Sequence, residues 1–413
     1  MRPTARGWTL AVIALLLYFF ANQTQVGWLY VLSAVVAGIW LTALFIPRRM
    51  LRGLALTRRI NGVTTPAELE LYAGQPATID LELCNAGRTL ALQVRGAQVC
   101  PFAPLADRTM PFFASVVPPR TSVELHYETL CARRGWFEFP PITLNTGAPF
   151  GFFSARREMN VPTSVLVFPE YRELERFPLL DRMPATENTF AKIGMGGEVV
   201  GVREYRPGDS LRHIHWRSSA HASQLIVKEF AQETQPGLTI ALDLRAASVI
   251  GSDENTSLEL AVKVAATLAR YADRRGLPVT LAANSRQWPA PFGSLSWWAL
   301  MSYLARIQGE GDESFADCLQ GMMTQGVAGA TFVAAIFTTP DQPAVEPLVK
   351  LRCSGLGALA VVIDPAPFLP ESNDSPDLVE AVTGRLAAGG VSVRVIGGEP
   401  DWERTLCAED EHA

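Results

Sequence analysis

Residues 8–46 read WTLAVIALLLYFFANQTQVGWLYVLSAVVAGIWLTALFI, and this stretch decides how the rest of the chain is organised. Trp8–Ala21 is one uncharged apolar run and Val26–Ile46 is a second. The second is long enough as a helix to cross ~30 Å of hydrocarbon at ~1.5 Å per residue. The first reaches that length with Gly7 and part of Asn22–Gln25. One helix across both runs would be far too long, so the polar Asn22-Gln23-Thr24-Gln25 predicts a turn between transmembrane helices over about 7–23 and 26–46. Trp8, Trp28, Tyr30 and Trp40 fit interfacial anchors. A cleaved signal peptide is the competing reading, but no small-x-small cleavage site follows the first run and a stronger apolar run comes next.

Arginine placement gives an orientation. Arg2 and Arg6 precede the first run, the turn is uncharged, and Arg48, Arg49, Arg52, Arg58 and Arg59 follow the second, with no acid before Glu68. The positive-inside rule then puts both termini and everything downstream on the cytoplasmic side of the inner (cytoplasmic) membrane.

The net charge of −5 over 413 residues hides an asymmetry. From Pro236 onward there are 12 Lys/Arg against 22 Asp/Glu, so the C-terminal half is acidic and the N-terminal part basic. An acidic half argues against a nucleic-acid partner, which needs a basic face for its phosphates. The six cysteines (Cys84, Cys100, Cys131, Cys318, Cys353, Cys407) are widely spaced, as reduced thiols would be, and show no CxxC metal pattern.

Residues 60–170 lack helical periodicity. Short alternating segments such as Ala77–Leu83 (ATIDLEL) and Ser122–Tyr127 (SVELHY), separated by Gly, Pro and Asn clusters, predict antiparallel strands in a β-sandwich-like region. Residues 171–235 read as a linker carrying a motif, and its glycine-rich Gly194-Met195-Gly196-Gly197 leads into no Walker-type helix.

Within that segment Gly197–Phe230 reads GEVVGVREYRPGDSLRHIHWRSSAHASQLIVKEF. The elements Arg203-Glu204-Tyr205, Pro207-Gly208-Asp209, Arg212, Ile214-His215-Trp216, Ser219-Ala220 and Val227-Lys228-Glu229 resemble bacterial proteins that contain the domain of unknown function 58. Arg134-Gly135 and Pro149-Phe150-Gly151 resemble that family's upstream signature. The resemblance implies no biochemical activity. It implies an N-terminal transmembrane helical hairpin, a β-rich region and a C-terminal α/β domain similar to von Willebrand factor A (Rossmann-like). It also implies a protein partner, a MoxR-type AAA+ ATPase. The candidate recognition residues are Arg203, Tyr205, Gly208, Asp209, Arg212, His215, Trp216 and Arg217, with Trp216 expected to pack inward. Arg203, Arg212 and Arg217 are also candidates for ion pairs with Glu204 and Asp209.

From 236 to about 400, strand-type runs (Leu238–Leu244, Pro278–Ala283, Thr331–Phe337, Leu359–Ile363, Val391–Ile396) alternate with helical stripes, which predicts a mainly parallel sheet covered on both faces. Residues 401–413 read as an acidic tail. In a von Willebrand factor A domain the carboxyl rim of the sheet holds a divalent cation through Asp-x-Ser-x-Ser and later Thr and Asp ligands. Here Asp243 stands at the first acidic position, but Arg245 and Ala247 occupy the hydroxyl positions. Thr338, Thr339 and Asp341 match the later ligands loosely. The expectation is a degenerate rim without metal, in which Asp243 pairs with Arg245 or caps a loop.

No complete catalytic set is legible, and no cofactor is implied. The leading expectation is a non-enzymatic, membrane-anchored adaptor or scaffold. The alternative is a metal-dependent enzyme or binder built on His213, His215 and His221, because His-x-His on an extended segment puts two imidazoles on one face.

Overall fold

Thr4 opens the first helix: its hydroxyl oxygen accepts the N–H of Gly7 at 3.2 Å, so helix α1 runs Ala5–Thr24. In this computed structural model, which describes residues 2–64, 69–181, 199–205, 214–222, 224–230, 237–252, 255–291, 293–324, 332–338, 342–369 and 376–408, α1 ends at Gln25. That residue is left-handed (φ 57°) and its N–H closes on the Ala21 carbonyl. Helix α2 follows at once, Gly27–Arg52. The expected four-residue turn is therefore shorter. Asn22–Thr24 complete the last turn of α1, where the Thr24 hydroxyl donates to the Phe20 carbonyl at 2.7 Å. Both helices are long and apolar enough to cross a membrane.

The second helix also outruns its expected end at Ile46. Pro47 forfeits one N–H, but Pro47, Met50 and Leu51 are buried, and the Arg157 guanidinium takes up the terminal carbonyls of Leu51 (2.5 Å) and Arg52 (3.0 Å). Burial and capping outweigh the lost hydrogen bond. Of the five arginines after the second run, Arg48, Arg49 and Arg52 are exposed on the last turns of α2. Arg58 is instead buried, 3% exposed, and Arg59 pairs with Glu82 at 2.7 Å.

The chain divides into two compact units, Met1–Glu170 and Tyr171–Ala413. The first contains the helices and strands β1 (Leu54–Ile60), β2 (Pro76–Asn85), β3 (Ala91–Val99), β4 (Thr109–Val117), β5 (Ser122–Leu130), β6 (Gly135–Glu138), β7 (Ile142–Thr146), β8 (Phe153–Met159) and β9 (Ser164–Phe168). An antiparallel sheet β1-β2-β5 and a second sheet ordered β8-β7-β3-β4, with Arg2–Pro3 paired antiparallel to the outer edge of β8 at Phe153–Ser154, enclose one core. Leu56, Leu81 and Leu83 of the first pack with Val94, Ala114, Ile142, Leu144 and Ala155 of the second. This is the period-two alternation the sequence shows in β2. β9 joins β6 in a third sheet, alongside a short parallel strand Leu71–Tyr72.

The second unit is built on five parallel strands: β12 (Leu238–Leu242), β13 (Val279–Ala283), β14 (Phe332–Phe337), β15 (Gly357–Ile363) and β16 (Ser392–Ile396), in spatial order β13-β12-β14-β15-β16. Helices α4 (Ser257–Arg274), α5 (Trp297–Arg306), α6 (Phe315–Thr324), α7 (Gln342–Cys353) and α8 (Pro376–Ala388) alternate with them. β12 and β14 are buried along their whole length, as strands covered on both faces must be. The segment read as a tail begins as helix α9 (Trp402–Cys407), because Trp402 and Leu406, four apart, are buried in this unit. Before the sheet, strands β10 (Val199–Glu204) and β11 (Ile226–Phe230) pair antiparallel, with helix α3 (Trp216–Ala222) between them in sequence.

Candidate functional site

With strand order β13-β12-β14, the chain reverses direction of travel across the sheet between β12 and β14. The carboxyl ends at such a reversal are where open parallel sheets form crevices for ligands. Asp243 follows β12 at that point and Thr338 follows β14, tied by the Asp243 N–H donating to the Ile336 carbonyl at 3.1 Å. Both residues are buried.

The carboxylate of Asp243 is fully engaged. Arg245 Nε lies 3.0 Å from Oδ1 and Nη2 lies 2.7 Å from Oδ2, a fork-on-fork pair. Ser248 Oγ donates to Oδ2 at 2.6 Å and Asn284 Nδ2 to Oδ1 at 2.9 Å. The backbone N–H of Arg245 adds a bond at 3.2 Å. Asn284, at the end of β13, also accepts the Leu244 N–H at 2.7 Å through Oδ1 and donates to the Glu313 carbonyl at 3.0 Å. Ser257, the first residue of α4, donates to the Ser248 carbonyl at 2.9 Å and accepts the Ile250 N–H at 2.9 Å, fixing the loop that delivers Ser248. Gly311 closes the far side: its N–H donates to the Leu244 carbonyl at 2.7 Å. A Cβ there would fall 2.6 Å from the Asn284 carbonyl oxygen, so the crossing requires glycine.

A guanidinium therefore occupies the position at which a cation would meet this acid. The +1 charge of Arg245 neutralises the buried carboxylate, and the donors of Ser248, Asn284 and the backbone fill its remaining lone pairs. Ser248 and Asn284 were not singled out from the sequence: one stands five residues beyond the acid and the other on a different strand. The neighbouring thiol of Cys318 is pushed up to about 11, first by burial and then by the charges of Glu313 and Asp243. It is protonated at neutral pH and unsuited to nucleophilic attack.

The signature segment forms a second cluster. Arg203 lies in β10 opposite Val227, and the Tyr205 N–H donates to the Leu225 carbonyl at 2.9 Å. His215 caps α3: its Nδ1 accepts the Ser218 N–H at 3.2 Å. Ser219 Oγ accepts the Ile226 N–H at 2.9 Å and bonds the His215 carbonyl at 3.1 Å, binding α3 to β11. Glu204 accepts from Gln224 Nε2 at 2.8 Å. Trp216, expected to pack inward, is instead 68% exposed as the first residue of α3, and Arg217 beside it is also exposed. Gly208, Asp209, Arg212 and His213, and in the rim Thr339 and Asp341, lie outside the described residues, as does the side chain of His221. Among the described residues no group of three or more His, Cys, Asp or Glu side chains is arranged to hold a metal ion.

The fold and site define a class: a β-rich unit bearing two long apolar helices, followed by an α/β unit whose acidic rim is closed by arginine. Residues 201–322 match the family described as Protein of unknown function DUF58. Uncharacterized protein YeaD of Bacillus subtilis (strain 168) is 25% identical over 134 residues, which is 30% of this chain and 32% of that one. The chain thus matches about a third of that relative's length. Solved structures include a GH20 exo beta-N-acetylglucosaminidase from Vibrio harveyi (9% identity, 84% of this chain and 57% of that one, TM-score 0.22). Another is a Paenibacillus sp. cycloisomaltooligosaccharide glucanotransferase (9%, 79% and 51%, TM-score 0.16). Likeness at these scores carries no argument about fold or activity.

Proposed function

We propose that this protein is a membrane-anchored, non-enzymatic adaptor whose α1–α2 hairpin spans the inner membrane with both termini and both units in the cytoplasm. Its α/β unit is of von Willebrand factor A type, with a rim that works without a metal ion and binds protein partners. A MoxR-type AAA+ ATPase is the proposed partner, and the adaptor presents it to membrane-bound assembly or chaperone work. One observation carries this reading: the Asp243 carboxylate is saturated by Arg245, Ser248 and Asn284. An acid so occupied offers no lone pair to a cation or a reacting group, but it makes a rigid rim. The exposed Trp216–Arg217 pair of the signature segment is of the composition that protein interfaces favour.

The test is affinity capture of the full chain from detergent-solubilised membranes, with and without Arg212→Ala, Trp216→Ala and Asp243→Ala. Loss of a co-purifying ATPase in the Trp216→Ala sample, at unchanged melting temperature, supports the adaptor. Identical partner sets in all four samples overturn it, as does stoichiometric zinc that disappears on His215→Ala.

A further inference from the structure

The Pro149-Phe150-Gly151 element singled out in the sequence has no part in the rim or in α3. It lies in the β7–β8 connection, and the structure shows what that connection touches. The Thr4 N–H donates to the Phe152 carbonyl at 3.0 Å, and the Thr4 hydroxyl donates to the Gly151 carbonyl at 2.7 Å. Gly7 leaves room for this approach, since a Cβ there would fall 2.2 Å from the Phe152 oxygen. On the other helix, the Trp40 ring meets Phe153 edge-on at 5.2 Å, while Trp40 Nε1 donates to the Gly7 carbonyl at 2.9 Å. The connection is thus clasped to both helices at the level of Gly7 and Trp40.

That level is deep. From Thr24 back to Gly7, α1 rises about 26 Å at ~1.5 Å per residue, which is less than the ~30 Å of a hydrocarbon core. Along α2, Trp40 precedes the exposed Arg48 by about 12 Å on the same rise. Strand β8 runs beside this length: Phe153 stands at Trp40, and Arg157 reaches the carbonyls of Leu51 and Leu54. The start of β8 therefore lies toward the membrane from the arginines of α2. At its tip Phe150 is 47% exposed and stacked on Phe152 at 5.7 Å, and Trp8, the residue after Gly7 in α1, is exposed as well. Arg6, next to Gly7, is exposed at this level, and Arg48, Arg49 and Arg52 are exposed farther along α2, charges suited to anionic headgroups.

We propose that the 148–153 connection is a third membrane contact, a wedge that inserts Phe150 into the boundary between headgroups and acyl chains beside the hairpin. This rests on the reading that α1 and α2 span the bilayer. Aromatic side chains favour that depth, and Phe150 gains there the burial it lacks against protein.

The full-length chain, reconstituted in phosphatidylcholine/phosphatidylglycerol vesicles, is photolysed with p-benzoylphenylalanine introduced separately at Phe150, Phe19 and Leu105. Phe19 is an exposed residue within α1, and Leu105 an exposed residue of the β-rich unit. The proposal expects phospholipid-mass adducts at positions 150 and 19, with yield at 150 several-fold above that at 105. Adducts at 19 with none at 150, equal yields at 150 and 105, or protein–protein crosslinks in place of lipid at 150 would each overturn the wedge. No lipid adduct at 19 would overturn the spanning reading itself.

Discussion

Each unit buries a charged side chain, and the two solve the same problem in opposite ways. In the α/β unit Asp243, 3% exposed, meets an opposite charge two residues on and three further donors. In the β-rich unit Arg58, equally buried, is held by neutral partners. Its Nη2 donates to Gln98 Oε1 at 2.9 Å, its Nη1 to the Val161 carbonyl at 3.1 Å, and its guanidinium lies 4.2 Å from the centre of the Phe139 ring. Dipoles and a π face hold the charge there, and burial lowers its pKa to about 10. The Asp243 site is a closed neutral unit in which every member depends on the others. The Arg58 site keeps a desolvated cation that contributes little net stability.

That contrast can be broken by mutation. Arg245→Ala leaves Asp243 buried and unpaired, and unfolding in detergent should show a loss of about 3–5 kcal/mol. A loss under ~1 kcal/mol would mean the pair is not a closed unit.

Alkaline unfolding is the next largest effect. Near Arg58, burial raises the Cys100 thiol to about 11 and the Cys131 thiol to about 12, each from 9.0. Their folded pKa values are raised, so the native state holds protons that the unfolded chain releases. The resulting stability is complete below pH 9 and is lost as pH rises toward 11–12. At ~1.36 kcal/mol per unit, Cys100 alone accounts for roughly 2–3 kcal/mol. Cys131→Val should flatten the fall in melting temperature between pH 9 and 11, and an unchanged slope would contradict the assignment. Arg58 acts with the opposite sign above pH 10, which narrows the net effect.

Arg58→Met tests the other side of the contrast. It removes the cost of a desolvated cation but leaves the Gln98 oxygen short of one donor, so the melting transition should move by no more than about 1 kcal/mol. A loss as large as that of Arg245→Ala would erase the distinction. Trp216→Ala, at an exposed position, should change stability by less than ~0.5 kcal/mol while weakening partner capture.

What the sequence discloses follows from how local each interaction is. The two apolar runs, the strand–helix alternation after Leu238 and the Asp243–Arg245 neighbourhood are legible because periodicity and adjacency carry them. The true end of α2 is not, since Pro47 and three arginines signal a stop that burial of Met50 and Leu51 overrides. Ser248 and Asn284 escape notice for a related reason: no fixed spacing links a loop hydroxyl and a second strand's amide to the acid they serve. Arg58 looks like one more juxtamembrane charge until Gln98, Phe139 and Val161, distant in sequence, surround it. Trp216 misleads in the opposite sense, its hydrophobicity suggesting a core position that the start of α3 does not provide.

The unbroken course of α2 through Pro47 to Arg52 has a mechanical consequence. No flexible linker separates the apolar segment from the sheet: Gly53 alone stands between α2 and β1, and Arg157 pins that junction. A helix so joined behaves as a lever arm. On the proposal that α2 spans a bilayer, any tilt the lipid thickness imposes on the helix rotates the β-rich unit with it.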